Sequence, residues 1–398
     1  MRFQLVAGTL LVAVSVLVSA CGSTTGVPAS NGSPVTAGKP TASASGVPAA
    51  PATTSGRKEV ALVSGPRARL VETLNDLQKG DVAAARSAFD AYDSEWNGIE
   101  VYVNFRSRQL YGDIETHYQA DIAKALEDAK PDPANIIPDL RAMIDKYDEA
   151  IKLSDTGPAI SPLFDDVAAV RIVRAPLRTV SPALKANNTA KAKQGFTAFT
   201  SKWDDVEDLI KARSTDAYHD VESAMAAADR SMSAATVNAA EAGPLVDALM
   251  DRYNFGVNLI NAAARGADVG KKSFTDQEVR PSAALGAVQD ALKASMTQWQ
   301  GGQYVAAGEA ARTASQRFSA AAPVLQARGG ADAAPKKALE SYAGLAGQAG
   351  DAKAVSSANR AAIEATAIAQ QTIAGQFWTD SGFQTAYQQA LKAGSTGG

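Results

Sequence analysis

The chain writes one long stretch twice. Shifted by 107 residues, Ala85, Phe89, Ala91, Ser94, Trp96, Glu100, Arg106, Ser107, Tyr111, Asp113 and Glu115 fall on identical residues. Their partners are Ala192, Phe196, Ala198, Ser201, Trp203, Glu207, Arg213, Ser214, Tyr218, Asp220 and Glu222. That is 11 identities over 31 ungapped positions, and Ile99/Val206 and Ile114/Val221 are conservative exchanges. The shared pattern is F-x6-W-x2-[IV]-E-x5-R-S-x3-Y-x2-[IV]-E. A repeat of this kind constrains the architecture before any local reading, because each copy must be one structural unit set against the next.

Each copy reads as helix. Val60 to Gln78 has Leu70, Leu74 and Leu77 at helical spacing, with Pro66 in the opening turn. Lys79-Gly80-Asp81 breaks it. Val82 to Phe105 carries Ala85, Phe89, Tyr92, Trp96, Ile99 and Val103 in three- and four-residue steps, the mark of an amphipathic helix. Arg108 to Lys130 repeats the rhythm until Pro131-Asp132-Pro133 stops it, and Ile136 to Leu153 is a fourth helix. Ser107 and Ser214 are good N-cap residues. A break there gives antiparallel helices and an up-down four-helix bundle per repeat, whereas a continuous helix would give a long rod.

The fold class expected is therefore all-α, with three tandem up-down helical repeats. Repeat one covers 57–156 and repeat two 157–267, whose last helix aligns at a shift of 106: Pro138, Asp145 and Tyr147 match Pro244, Asp251 and Tyr253. Repeat three, 268–398, is degenerate. Gly301-Gly302 stands for Lys79-Gly80, Phe318 for Trp96 and Ala322 for the glutamate, while Arg328 still matches Arg106.

The N-terminal end sets an expected compartment. Arg2 precedes an apolar run from Leu5 to Val18, too short to span a bilayer, and Val18-Ser19-Ala20-Cys21-Gly22 follows. Small residues before a cysteine resemble a bacterial lipoprotein processing box, so residues 1–20 read as a signal peptide and Cys21 as the lipidation site. Cys21 is the only cysteine, which leaves packing rather than disulfides to hold the fold. Gly22 to Gly56 has no aromatic residue, Leu or Ile and one charge, Lys39. Such a segment cannot bury enough apolar surface to order itself. It reads as a tether about 30–35 Å from end to end as a flexible coil. With Arg2 removed, 38 basic residues face 42 acidic ones, a net charge of −4. A mildly acidic chain without basic runs argues against nucleic acid as a partner.

The repeated carboxylates are the candidates for chemistry. Glu100 and Glu115 flank Ser107 at similar distances, so antiparallel helices bring them to similar heights beside Trp96 and Tyr111. Repeat two sets Glu207 and Glu222 the same way, with His219 one turn before Glu222. Carboxylates and an imidazole projecting into a bundle are the donors of a transition-metal site. The competing reading pairs them structurally, Arg106 with Glu100 or Glu115 and Arg213 with Glu207 or Glu222, because a buried carboxylate demands a partner. Trp96 and Trp203 are core anchors on either reading, and Tyr111 and Tyr218 core tyrosines with a bonded hydroxyl. No G-x-S-x-G, H-E-x-x-H, P-loop or paired C-x-x-C occurs, so a non-enzyme is expected. A hydrolase built on His219 and Glu222 is the remaining enzymatic reading.

The W-x2-[IV]-E … R-S-x3-Y-x2-[IV]-E pattern resembles the extracytoplasmic helical region of the bacterial high-affinity iron permease family and of related iron-uptake lipoproteins. The likeness covers residues 57 to about 266. It implies an envelope protein held to the membrane by its lipid, handling iron beside a permease, with Glu100, Glu115, Glu207 and Glu222 as iron contacts. The alternative is a scaffolding lipoprotein that binds another envelope protein and no metal.

Overall fold

A left-handed residue closes the first helical arm of each repeat: Gly80 (φ 77°), Asn187 (φ 52°) and Gly302 (φ 75°). Glycine adopts this conformation freely and asparagine is among the few other residues that tolerate it, so sequence and backbone agree at all three turns. Asp81 and Asn188 then cap the next helix, accepting from Ala84 N and Lys191 N, each at 3.0 Å.

The computed structural model describes residues 49–395 apart from 269 and 272, and these contain helix and no strand. The first repeat comprises α1 (Lys58–Ser64), α2 (Arg67–Lys79), α3 (Val82–Trp96), α4 (Glu100–Arg106) and α5 (Arg108–Gly112). A π-helical stretch, Asp113–Gln119, joins α5 to α6 (Ala120–Glu127), and α7 (Pro133–Thr156) completes the copy. The second comprises α8 (Leu163–Arg178), α9 (Val180–Lys185), α10 (Thr189–Thr200), a 3-10 turn at Trp203–Asp205, α11 (Glu207–Lys211), α12 (Thr215–Met232) and α13 (Ala239–Gly266). The third comprises α14 (Asp276–Gln300), α15 (Tyr304–Phe318), α16 (Ala322–Ala327), α17 (Ala333–Ala346) and α18 (Ala352–Ala374), then a 3-10 turn, Gly375–Thr379, and α19 (Ser381–Ser395).

The helix expected over Val82–Phe105 is interrupted. α3 ends at Trp96 and α4 begins at Glu100, across Gly98 at φ 108°. A Cβ at Gly98 would lie 2.8 Å from the Ile172 side chain and 3.0 Å from the Ala168 carbonyl, so this turn is pressed against α8. The break at Ser107 occurs as expected. Ser107 and Ser214 are extended (φ −150° and −161°), and their hydroxyls accept from Leu110 N and Ala217 N, each at 3.1 Å. Polar bonds along the hairpin, Trp96 to Glu115, Gln119 to Asp93 and Arg86 to the Leu126 carbonyl, make α3 and α5–α6 antiparallel. The hairpin arrangement is the one adopted, with α4 as a short connector.

The same aromatic cluster anchors both copies. Trp96 lies 5.5 Å from Tyr147, and Trp203 lies 5.9 Å from Tyr253, ring centre to ring centre. Each tyrosine donates its hydroxyl to a carbonyl of the first arm: Tyr147 to Val63 at 2.9 Å and Tyr253 to Val170 at 2.8 Å. The apolar interior runs from Val63 to Ala264 without a gap at 157, so the first two copies share one core. A second core, Leu285 to Ile373, belongs to the third copy, and α19 packs Phe383 and Tyr387 beside Val279 of α14.

The ordered body begins before Arg57. Asp155 accepts from Thr54 N at 3.0 Å and Ser55 N at 2.6 Å, so the tether expected to run to Gly56 is already docked there. Cys21, the segment expected to be a signal peptide and most of the expected tether lie outside the described residues. No helix among the described residues is long and apolar enough to cross a membrane.

Candidate functional site

The hairpin fixes where each repeated carboxylate goes. Trp96 ends α3 one face away from Glu115, and its indole N–H donates to Glu115 Oε2 at 2.5 Å. The second copy repeats this contact, Trp203 Nε1 donating to Glu222 Oε1. The W…E spacing of 19 residues thus encodes an indole–carboxylate bond across an antiparallel pair. A buried indole N–H and a buried carboxylate each need a partner, and here they satisfy one another.

Glu100 opens α4, where it accepts from the Gly98 backbone N–H and from Arg171 Nη1 at 2.9 Å. Glu207, its counterpart, takes a hydrogen bond from the Tyr218 hydroxyl, and Lys211 sits 4.8 Å from the Tyr218 ring centre. His219 is exposed, and the Glu222 carboxylate is held by Trp203 rather than by His219. His117 is likewise exposed, 3.8 Å from Asp121.

The arginines of the pattern do not pair as the sequence suggested. Arg106 binds neither Glu100 nor Glu115. It forms a bidentate, almost fully buried ion pair with Glu59 of α1 and donates to the Pro158 carbonyl at 2.9 Å. Arg213 is buried too; it donates to the Gly375 carbonyl, and its nearest acidic influence is Asp166, which stands 107 residues after Glu59. Burial depresses the Arg213 guanidinium, and Asp166 opposes the shift. Arg328 completes the series, donating to Glu278 at 3.4 Å and to the carbonyls of Gly266 and Thr372 at 2.9 and 3.0 Å. In the first and third copies, then, the arginine turns back to an acid at the start of its own first arm, while Asp166 acts on Arg213 only at a distance. The Glu59/Asp166 correspondence was available at the same shift, and its omission is why the partners were misassigned.

Glu100 and Glu115 do share a space, a cavity of about 520 Å³ between the first hairpin, α8 and α13, with Trp96 and Tyr111 beside them. Its opposite wall is Arg171, Arg174 and Arg178, which share one face of α8. Burial raises the Glu115 carboxyl, the Trp96 bond opposes this, and Glu100 and Asp93 reinforce it. Tyr111 is raised by burial and by the same two glutamates. Burial depresses Arg174, and Arg171 and Arg178 add to the effect by repulsion.

The chain matches no protein-family model, no curated protein and no solved structure.

Chemically, the cavity fits a cation poorly. A metal requires several donors that converge without neutralising cations. Among the described residues no three His, Cys, Asp or Glu side chains come together in that way. Glu100 is already neutralised by Arg171, and Glu115 is engaged by an indole. Only one of the three α8 arginines recurs: the shift of 107 pairs Arg174 with Arg67, but Arg171 with Ser64 and Arg178 with Val71. Reading only what recurs therefore passed over the set. The signal that could have found them is R-x2-R-x3-R on one helical face.

Proposed function

We propose that the protein is a lipid-anchored, extracytoplasmic helical scaffold, non-enzymatic, that binds another envelope protein. One observation carries this reading: each of the four repeated glutamates has an internal partner. Arg171 serves Glu100, Trp96 serves Glu115, Tyr218 serves Glu207 and Trp203 serves Glu222. Groups matched in this way hold a fold in register and are not arranged to converge on a metal. Anchoring rests on the Val18-Ser19-Ala20-Cys21 sequence alone. A second reading, accessory to iron uptake by a permease, draws on the single cavity shared by Glu100 and Glu115 and requires Arg171 to release Glu100.

Titrating the full chain with ferrous and ferric iron separates the two, with Glu100→Gln and Glu207→Gln in parallel. The scaffold reading expects no stoichiometric binding by the parent and lower thermal stability in Glu100→Gln. Saturable iron binding that both variants lose would overturn it. Cys21→Ser with cell fractionation tests the anchor: the variant should leave the membrane fraction, and one that stays as tightly bound as the parent refutes lipidation.

A further inference from the structure

We propose that the cavity between the first hairpin and α8 is a binding site for a small anion bearing a carboxylate or phosphate group, held by Arg174 and Arg178. One wall of the site is the repeated pattern and the other is the arginine face of α8, and the inference goes beyond the scaffold reading.

The charges on the two walls are unevenly matched. Arg171 has Glu100 at 2.9 Å. Arg174 and Arg178 instead meet neutral amide oxygens, Asn254 Oδ1 at 2.8 Å and Asn97 Oδ1 at 2.5 Å, and among the described residues neither has a carboxylate within salt-bridge distance. The Nε atoms of Arg171 and Arg174 are buried without an acceptor, and so is the hydroxyl of Ser181, which lines the same cavity one turn beyond Arg178. Half-buried guanidinium groups such as Arg171 and Arg174, with orphaned Nε donors, are costly unless an anion supplies the missing lone pairs. A carboxylate or phosphate does so, since its paired oxygens match the guanidinium fork.

The first copy does not leave its arginine here without a carboxylate, as the second does, where Asn254 replaces Asp148. The equivalent positions in the first arm of repeat one are Ser64, Arg67 and Val71, and Arg67 has its own carboxylate, Asp148, at 2.5 Å. Nor do the acidic groups nearby cancel the site. Glu100 is compensated, Glu115 is bound by Trp96 and shifted by burial towards its neutral form, and Asp247 is exposed at the rim. They limit the occupant to a small anion rather than a polyanion. The volume is within the usual range for small-molecule pockets, and Trp96 and Tyr111 offer an apolar wall to the ligand's body.

The test is calorimetric titration of the detergent-purified full chain with two probes, succinate and inorganic phosphate. At least one should bind at a single saturable site and raise the melting temperature. Arg174→Gln and Arg178→Gln should each weaken binding by about tenfold or more and abolish the ligand-induced rise. Arg178 is exposed, so the unliganded Arg178→Gln variant should melt with the parent, which separates loss of the site from loss of the fold. Absence of saturable binding for both probes, or undiminished binding in both variants, overturns the proposal. Succinate alone would mark a carboxylate ligand and phosphate alone a phosphorylated one, and either supports the site.

Discussion

Arg106 and Glu59 offer the sharpest test of how the repeat is held. Their side chains are only 4% and 5% exposed, and the guanidinium makes two bonds to the carboxylate and one to the Pro158 carbonyl. Arg106→Met strands a buried carboxylate, and breaking a buried pair from one side costs about 3–5 kcal/mol. Glu59→Leu strands the guanidinium instead and should also cost about 3–5 kcal/mol. Removing both charges in Glu59→Leu/Arg106→Met withdraws the desolvation penalty along with the attraction. The double variant should then lose only about 1 kcal/mol, mostly the bond to Pro158. The expected coupling is at least about 3 kcal/mol, well above the few tenths found for independent sites. Urea unfolding of the four proteins, followed by tryptophan fluorescence and far-UV circular dichroism, gives all four values. If the double variant is as unstable as the sum of the singles, or Arg106→Met changes stability by under about 1 kcal/mol, the pair is not what fixes α1 to α4.

Three further outcomes follow from the same geometry. Tyr147→Phe and Tyr253→Phe remove equivalent bonds to Val63 and Val170 and should each cost about 1–1.5 kcal/mol in urea midpoints; a large disparity would refute the structural equivalence of the copies. Ser214→Ala removes the cap on Ala217 N and should cost about 1 kcal/mol, with exchange protection lost first at the start of α12; unchanged exchange there would contradict the cap. Burial holds the Glu115 carboxyl above its ordinary range, so the folded chain binds that proton more tightly than the unfolded one. The associated stability is complete below the unfolded value and is lost as pH rises through the folded one. Glu115→Gln should therefore gain on the parent as pH rises from the ordinary glutamate range through the raised folded value, and parallel stability curves would refute this.

What could be read in the sequence was whatever recurs. The helical class, the turns at Gly80, Asn187 and Gly302, the caps at Ser107 and Ser214, and the buried Trp96 and Trp203 all follow from residue types at fixed spacing. The break at Gly98 did not, because apolar periodicity continues through it to Val103. Its cause is tertiary, the close approach of Ile172. Partner choice failed for a similar reason. Glu100 is nearer to Arg106 in sequence than Glu59 is, yet α4 turns Arg106 away towards α1 and leaves Glu100 facing α8. Spacing specifies which side chains share a face, and only the packing of one arm on another specifies what stands opposite. The division at 157 was legible as a repeat boundary, but nothing in the pattern says that the apolar interior continues across it.

The clasp of Thr54 and Ser55 on Asp155 has a mechanical consequence. For a chain held by its N-terminal end, tension enters the body at Thr54 and not at the first turn of α1. Arg57 extends the clasp, donating to the carbonyls of Ser154, Asp155 and Gly157, so seven bonds to the end of α7 share the pull in parallel. Bonds loaded together in shear yield together, whereas bonds loaded one after another peel. Force on the leash is thus carried into the long helix α7 and past the short helix α1, whose own hold on the core is never the first thing strained.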